Sequence, residues 1–259
     1  MKKHICLVLV LSLSLFFCAC TGLETQEKKD DTTLSSNKNT TLYEGASKTH
    51  TPSHSKLYLT NCSQQQMIDY FGEIVFNSEY GTGTSRSVTK WNVPIRYRIY
   101  GTATKKDLEV LTDLFAQLNK IDGFPGIYAA DDEENLTISF LGVEDFNTSF
   151  SEFVKGEDAY GATEFWYYND TNEIHTAMIG YRTDVDQATR VSILIEEIIN
   201  MLGVSDTEMR EDSIVYQYSN DNTTLSDIDW VILKLLYDPQ IKCGMNADSC
   251  NDILKKIYY

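Results

Sequence analysis

The stretch from Ile193 to Leu202 constrains the fold more than any other part of this chain. A helix formed by these ten residues would be apolar on almost all sides, since seven of them are apolar: Ile193, Leu194, Ile195, Ile198, Ile199, Met201 and Leu202. Such a helix is normally buried in a protein core. We therefore expect a long buried helix at about residues 186–202.

A narrow polar stripe interrupts this apolar surface. Ser192, Glu196 and Asn200 recur every four residues, which places them on one face of the helix, and Glu197 lies beside them. Because burying an uncompensated charge is costly, the stripe must face water, a cation or hydrogen-bond donors. Two interpretations remain open, a thin solvated face of an amphipathic helix and the floor of a cleft.

The spacing of the stripe is also that of a metal site, EExxNxLGxxD. Ligands at positions i and i+4 can hold one metal, and a glycine turn can bring back a third. Glu196, Asn200 and Asp206 take the three ligand positions, Glu197 the position of the catalytic base, and Gly203 the turn. No histidine lies in the pattern. Oxygen donors suit calcium, magnesium or manganese, so we expect at most a weakly bound divalent cation and not zinc.

Alternation and capping signals predict the remaining elements. The predicted helices are Gln64–Phe76, one capped by Thr104 with Asp107, and one capped by Ser226 with Asp229. The predicted strands are Trp91–Tyr100 and Asn135–Leu141, followed by a hairpin of Thr163–Tyr168 and Glu173–Tyr181. This order predicts an α+β domain with a mixed sheet packed against long helices.

The stretch from Leu136 to Pro239 resembles the matrixin-like zincins, a class of zinc peptidases. The runs NLTISF, GATEFWYY, EEIINMLG, DSIVYQY and LSDIDWVILKLLYDP follow the order of their edge strand, next strand, active-site helix, methionine turn and closing helix. Val215 stands in place of the methionine. The resemblance implies a zincin-like fold, but every zinc histidine is replaced, so it does not imply hydrolysis.

A second resemblance covers residues 71–245. The runs KWNVPIRYRIYG and LYDPQIKCGM, together with the EExxN helix and the DSI segment, resemble a bacterial envelope family known only as domain of unknown function 2927. This resemblance implies a fold and a location in the cell envelope. It implies no activity.

The N-terminal residues predict export and lipid anchoring. Residues 1–19 combine Lys2 and Lys3 with a short apolar run, as lipoprotein signal peptides do, and Phe17-Cys18-Ala19-Cys20 resembles a lipobox that ends on an acylated Cys20. An ordinary secretory signal is the alternative. Residues 20–55 are polar and predict a disordered tether, which leaves 56–259 for the zincin-like domain.

Charge limits the partners of the exported chain. Loss of the two lysines at positions 2 and 3 takes the formal charge from -16 to -18. Nucleic-acid binding requires clustered Lys and Arg, so we expect no nucleic-acid partner. We expect contact with the membrane through the lipid only, and a protein or peptide as the ligand.

Three cysteines remain within the predicted domain. Cys243 and Cys250 bracket the short polar run CGMNADSC and are expected to form a disulfide in an oxidising compartment. Cys62 paired with either of them is the alternative, because three cysteines cannot all pair.

Taken together, the sequence predicts a lipid-anchored envelope protein with a degenerate zincin-like domain that acts in binding or as a scaffold and does not hydrolyse. The alternative is an atypical metal-dependent peptidase or hydrolase that uses Glu197 as its base. A glycosidase built on Glu196 and Glu197 agrees less well with the sequence. Its two carboxylates would have to face each other across a sugar bond, and neighbouring residues on a helix point about 100° apart.

Overall fold

The structure, a computed structural model, describes residues 57, 59–76, 86–150 and 159–258. All of them fall within the predicted domain, 56–259. The predicted signal peptide (1–19), the lipidated Cys20 and the predicted tether (20–55) lie outside the described residues.

Six helices and six strands make up the described part of the chain. The helices are α1 (Gln64–Phe76), α2 (Lys105–Leu118), α3 (Val143–Ser149), α4 (Gln187–Met201), α5 (Asp227–Leu236) and α6 (Ala247–Ile257). The strands are β1 (Lys90–Trp91), β2 (Ile95–Gly101), β3 (Ile127–Ala129), β4 (Leu136–Leu141), β5 (Gly161–Tyr167) and β6 (Glu173–Arg182). Within these ranges, no helix combines the length and the apolar composition that crossing a bilayer requires.

The strands form one mixed sheet, as predicted. β2 pairs in parallel with β3 and with β4, and β4 pairs in parallel with β6. Ile99, Ile138 and Ile179 therefore lie side by side, with Ile138 and Ile179 in the core and Ile99 half-buried. β5 runs antiparallel to β6, and the short β1 pairs in parallel with the first two residues of β6. α4 packs on β5 and β6 and against α2, which places the polar stripe next to the antiparallel strand.

Both predicted capping boxes are confirmed. The Thr104 hydroxyl accepts a hydrogen bond from Asp107 N at 3.1 Å, and Thr104 N donates to Asp107 Oδ2 at 2.8 Å. Ser226 N donates to Asp229 Oδ2 at 2.8 Å in the same way. These side chains satisfy backbone N–H groups that the first turn of a helix leaves without partners, and so they define where α2 and α5 begin.

Four features differ from the sequence expectation. The predicted strand Trp91–Tyr100 is two strands, β1 and β2, separated at Pro94, a residue that has no N–H to donate to a ladder. β3, α3 and α6 were not predicted. β3 and α3 are short. α6 begins inside the polar run between Cys243 and Cys250, where Asn246 caps the helix by accepting a hydrogen bond from Ser249 N at 3.0 Å.

The position of α6 also bears on the predicted disulfide. Cys62, Cys243 and Cys250 are free thiols in the structure, so the predicted Cys243–Cys250 bond is not present in it, nor is a bond to Cys62. Cys250 lies in the first turn of α6 and is fully buried in the core, whereas the Cys243 thiol lies 3.5 Å from the carbonyl oxygen of Lys90. Burial raises the pKa of Cys250 to about 11, which disfavours the reactive thiolate.

The two ends of the described domain are joined. Leu57 N donates to Ile257 O at 3.2 Å, and the Tyr258 hydroxyl donates to Cys62 O at 2.7 Å. Gln64 Nε2 donates to Tyr258 O at 2.8 Å, and α1 packs against α6. The N-terminal helix is therefore held by residues almost two hundred positions later in the sequence.

Candidate functional site

Helix α4 is fixed on the sheet by side chains that donate to its carbonyl groups. The Tyr181 hydroxyl donates to Leu194 O at 2.9 Å, and the Thr163 hydroxyl donates to Glu197 O at 3.0 Å. At the end of the helix, the Trp91 indole donates to Met201 O at 2.9 Å. Because β5, β6 and β1 each supply one of these bonds, the rotation of α4 about its own axis is set by the sheet.

This rotation buries the whole polar stripe. Glu196 is 4% exposed, Glu197 is 5% exposed and Asn200 is 1% exposed, and Ser192 is fully buried. The interpretation of the stripe as a thin solvated face is therefore wrong. Other elements of the fold enclose these side chains, and the second interpretation, the floor of a cleft, stays a prediction.

Gly203 makes the predicted turn after α4. Its φ of +103° is one that L side chains rarely adopt, and a Cβ at this position would lie 2.0 Å from Thr89 O. The turn directs the chain back along the helix, and Asn200 Nδ2 donates to Asp206 Oδ1 at 3.1 Å. The predicted return of Asp206 is thus confirmed at Asn200, and the second and third positions of the metal pattern are bonded to each other.

The segment from Ser213 to Tyr216 pairs with the backbone of Thr207, the residue after Asp206. Asp229 accepts from the Ser213 hydroxyl at 2.6 Å and from Ile214 N at 3.1 Å, so the acid that caps α5 also holds this turn. Val215 is buried, and its carbonyl accepts from Thr207 N at 2.9 Å. Val215 therefore lies against the strand-like segment that carries Asp206, in the place that the sequence pattern assigned to the methionine turn.

Glu197 points at the antiparallel strand β5. A Cβ at Gly161 would lie 2.8 Å from Glu197 Oε1, so the glycine leaves the space that this carboxyl group occupies. Burial raises the pKa of Glu197 to about 8, the Thr163 hydroxyl opposes the shift, and the charge of Asp206 adds to it. A raised pKa for one carboxyl of the site agrees with the expectation that these acids do not ionise together.

Glu196 lies on the same side of the helix, toward β6. Burial raises the pKa of Tyr181 well above its usual value, and the charges of Glu197 and then Glu196 add to that effect. Both carboxyl groups therefore act on one buried phenol, which remains protonated and donates its hydrogen bond to α4.

The donor set does not fit zinc. It contains no imidazole or thiol, and the Asn200 amide already donates to Asp206. Within the described ranges, no three side chains of histidine, cysteine, aspartate or glutamate are grouped in a way that could hold a metal ion. His175, the only histidine among those residues, stacks on Tyr168 in the β5–β6 hairpin at 4.4 Å between ring centres.

A family model described as "Protein of unknown function (DUF2927)" matches residues 64–256. The chain belongs to this family. No curated protein matches it. The match covers all six helices and the whole sheet of this DUF2927 domain except the last residue of α6.

The sequence analysis missed Arg86 at the site of the DUF2927 domain. Its Nη1 donates to the Ser205 hydroxyl at 3.1 Å, and its guanidinium lies 6.0 Å from the centre of the Phe165 ring. Arg86 thereby connects the turn that carries Asp206 with strand β5, beside the buried acids. A single arginine after a stretch rich in glycine and serine carries no periodic signal, so only the fold identifies its role.

Proposed function

We propose that this chain is a lipid-anchored protein of the bacterial cell envelope whose zincin-like domain binds a ligand and does not hydrolyse it. The order of the elements supports the zincin-like part of the proposal: a parallel sheet with an antiparallel strand β5, the helix α4, the turn at Gly203 and the buried segment from Ser213 to Tyr216. The anchoring through Cys20 rests on the lipobox resemblance alone.

One observation carries the non-hydrolytic part, the hydrogen bond from Asn200 to Asp206. In a metallopeptidase, the side chains at these two positions converge on the metal. Here the amide and the carboxylate, both buried, are 3.1 Å apart and satisfy part of each other's hydrogen-bonding capacity. The polar pair therefore stabilises the turn after α4.

The protonation of Glu197 supports the same conclusion. A general base has to be ionised at the working pH to accept a proton from water. With a pKa of about 8, the carboxyl group of Glu197 is protonated in roughly nine molecules of ten at pH 7. Without the charge of a bound cation, burial thus favours the protonated form of Glu197, which cannot accept a proton from water.

An atypical hydrolase with a hard cation is the second candidate, and one observation favours it. Among the described residues, neither Glu197 Oε2 nor Asn200 Oδ1 has a hydrogen-bond partner, although both atoms are buried. Buried oxygen atoms of this kind are suitable ligands for calcium, magnesium or manganese. A thermal-unfolding series with each of these ions tests this candidate, which requires a rise in Tm that saturates with ion concentration.

Metal analysis and a peptidase assay on the same purified protein decide between the two candidates. We expect far less than one metal ion per chain after dialysis, no cleavage of a generic peptide library, and the same result for Glu197→Gln. Glu109→Gln, a change at an exposed glutamate of α2, is the matched control for loss of one carboxylate. A stoichiometric metal ion, together with peptide cleavage that wild type shows and Glu197→Gln does not, would establish the hydrolase instead.

A further inference from the structure

A cleft of about 490 Å³ lies where β1 pairs with the beginning of β6. Gly123 lines it together with three segments that are distant in the sequence: residues 90–92, Asp170, Thr171 and Glu173 of the β5–β6 hairpin, and residues 237–239 and 241–244 after α5. None of the lining residues belongs to α4, so the cleft is separate from the site described above. Its volume falls in the range of about 300–1,000 Å³ that is usual for small-ligand sites.

Lys90 provides a fixed positive charge in the wall of this cleft. Its side chain is buried, and its Nζ donates to Leu236 O at 2.6 Å and to Ile241 O at 2.7 Å. The ammonium also lies 5.2 Å from the centre of the Tyr237 ring. Because two carbonyl oxygens and an aromatic ring hold the ammonium group of this buried lysine, the fold fixes its position.

A second ammonium group, that of Lys242, lies close enough to affect the first. Burial lowers the pKa of Lys90 to about 8, the Cys243 thiol opposes this shift, and the charge of Lys242 adds to it. Lys242 is exposed, and its side chain makes no hydrogen bond or ion pair with the described part of the chain. A carboxylate bound between the two lysines would relieve their repulsion, in a protein whose formal charge is otherwise -16.

Acidic groups line the part of the cleft formed by the β5–β6 hairpin. Asn92 Nδ2 donates to Glu173 Oε1 at 2.7 Å, which orients this carboxylate and leaves its second oxygen for another donor. Asp170 is exposed in the turn of the same hairpin. A third acid of the lining, Asp238, lies on the 237–244 segment, and its Oδ1 accepts a hydrogen bond from Gln240 N at 2.8 Å. The cleft thus has its two lysines on β1 and the 237–244 segment, and two of its three acids on the hairpin.

We propose that this cleft binds a short peptide with free termini, its carboxylate near Lys90 and Lys242 and its ammonium near Glu173 and Asp170. The proposal rests on the proposed function, since it names the class of ligand that the binding domain takes. Two charges of opposite sign at the two ends of one small molecule match the two charged parts of the cleft. An extended tripeptide spans about 10 Å, a length that suits a cleft of this size.

The test is a calorimetric titration of the purified protein with three probes: trialanine, N-acetyl-trialanine and trialanine amide. We expect trialanine to bind, and each cap to weaken binding at least tenfold. Lys242→Gln should lower the affinity for trialanine to the same degree. The same variant should leave the affinity for trialanine amide unchanged, because this probe lacks the carboxylate. Glu173→Gln should lower the affinity for trialanine. It should leave the affinity for N-acetyl-trialanine unchanged, because this probe lacks the ammonium group.

Two control variants remove the same charges elsewhere. Lys234→Gln changes an exposed lysine of α5, and Glu109→Gln changes an exposed glutamate of α2, and neither residue lines the cleft. Both controls should bind trialanine as the wild type does. If no probe binds at millimolar concentration, or if all three bind equally, or if the cleft variants behave like the controls, the proposed peptide site is wrong.

The same titration separates this proposal from the proposed function. Cleavage of trialanine during the experiment would refute a non-hydrolytic domain while the pattern of cap and variant effects still located the ligand in the cleft. Absence of binding without cleavage would remove the peptide site and leave the Asn200–Asp206 argument intact, because α4 does not line the cleft.

Discussion

Replacing Glu197 with glutamine is expected to make the protein more stable, and increasingly so as the pH rises. The carboxyl group has a pKa of about 8 in the folded protein and an ordinary value of 4.5 when the chain unfolds. Between these pH values the folded state therefore binds more protons than the unfolded state, and the free energy of unfolding decreases as the pH increases. Glutamine has nearly the same shape and no charge, so it removes this loss.

The size of the effect follows from the two pKa values. One pKa unit corresponds to about 1.4 kcal/mol, so the ionisable carboxyl costs about 1 kcal/mol at pH 5, about 3 kcal/mol at pH 7 and between about 4 and 5 kcal/mol at pH 9. The cost is constant above that range and disappears well below pH 4.5. The glutamine amide introduces its own hydrogen-bonding mismatch, which shifts all values equally because it does not titrate.

Urea unfolding of wild type and variant at pH 5, 7 and 9 measures this difference. The difference in free energy of unfolding between Glu197→Gln and wild type should grow by about 4 kcal/mol from pH 5 to pH 9. Other titrating groups contribute equally to both proteins and cancel. Glu109→Gln, a change at an exposed glutamate of α2, should show a difference near zero at every pH.

Two results would refute the reasoning. A difference that does not change with pH would mean that Glu197 is not buried as a neutral acid. A variant that is less stable than wild type at pH 7 and above would mean that the ionised carboxylate has a cationic partner, as a metal-dependent hydrolase requires.

Two further predictions concern the anchor and the turn. Cys20→Ala should release the protein from membranes in a fractionation experiment, and a variant that stays in the membrane fraction as wild type does would disprove lipidation at this residue. Gly203→Ala should lower the free energy of unfolding by about 3 kcal/mol or more, because its Cβ would lie 2.0 Å from Thr89 O and its φ is +103°. Gly72→Ala in α1, where a Cβ meets nothing within 4 Å, is the control and should stabilise by about 0.5–1 kcal/mol.

The parts of the site that depend on local signals could be predicted from the sequence. A run of apolar residues with one polar stripe predicted a helix at about 186–202, and α4 spans Gln187–Met201. Gly203 marked the turn because only glycine readily adopts its backbone conformation. Short-range geometry then brings Asp206 back to Asn200, whatever the rest of the chain does.

What covers a helix face could not be predicted in this way. Periodicity shows that Glu196 and Asn200 share a face, but the elements that bury it come from elsewhere: Thr163 on β5, and the segment ending at Val215. The space for Glu197 depends on the missing side chain of Gly161, a residue 36 positions earlier in the sequence. Pairings of this kind depend on strand order, and no local pattern encodes it.

The structure has free thiols at Cys243 and Cys250, where the sequence predicts a disulfide, for a related reason. A polar run between two cysteines looks like a loop, but Asn246 in that run is a helix cap. Once α6 begins there, Cys250 turns into the core and Cys243 stays near Lys90. The signal for the cap was present in the sequence, and it competed with the more familiar interpretation of closely spaced cysteines as a disulfide.

The joining of α1 to the segment at Ile257 and Tyr258 has a consequence for biogenesis. Cys62 and Tyr258 are 196 residues apart, and at a synthesis rate of about 5–20 residues per second the partner of α1 is made about 10–40 s after α1 itself. During that time the apolar side of α1, including Met67 and Phe71, has no α6 to pack against. The domain can complete its core only after the polypeptide has been synthesised as far as Tyr258.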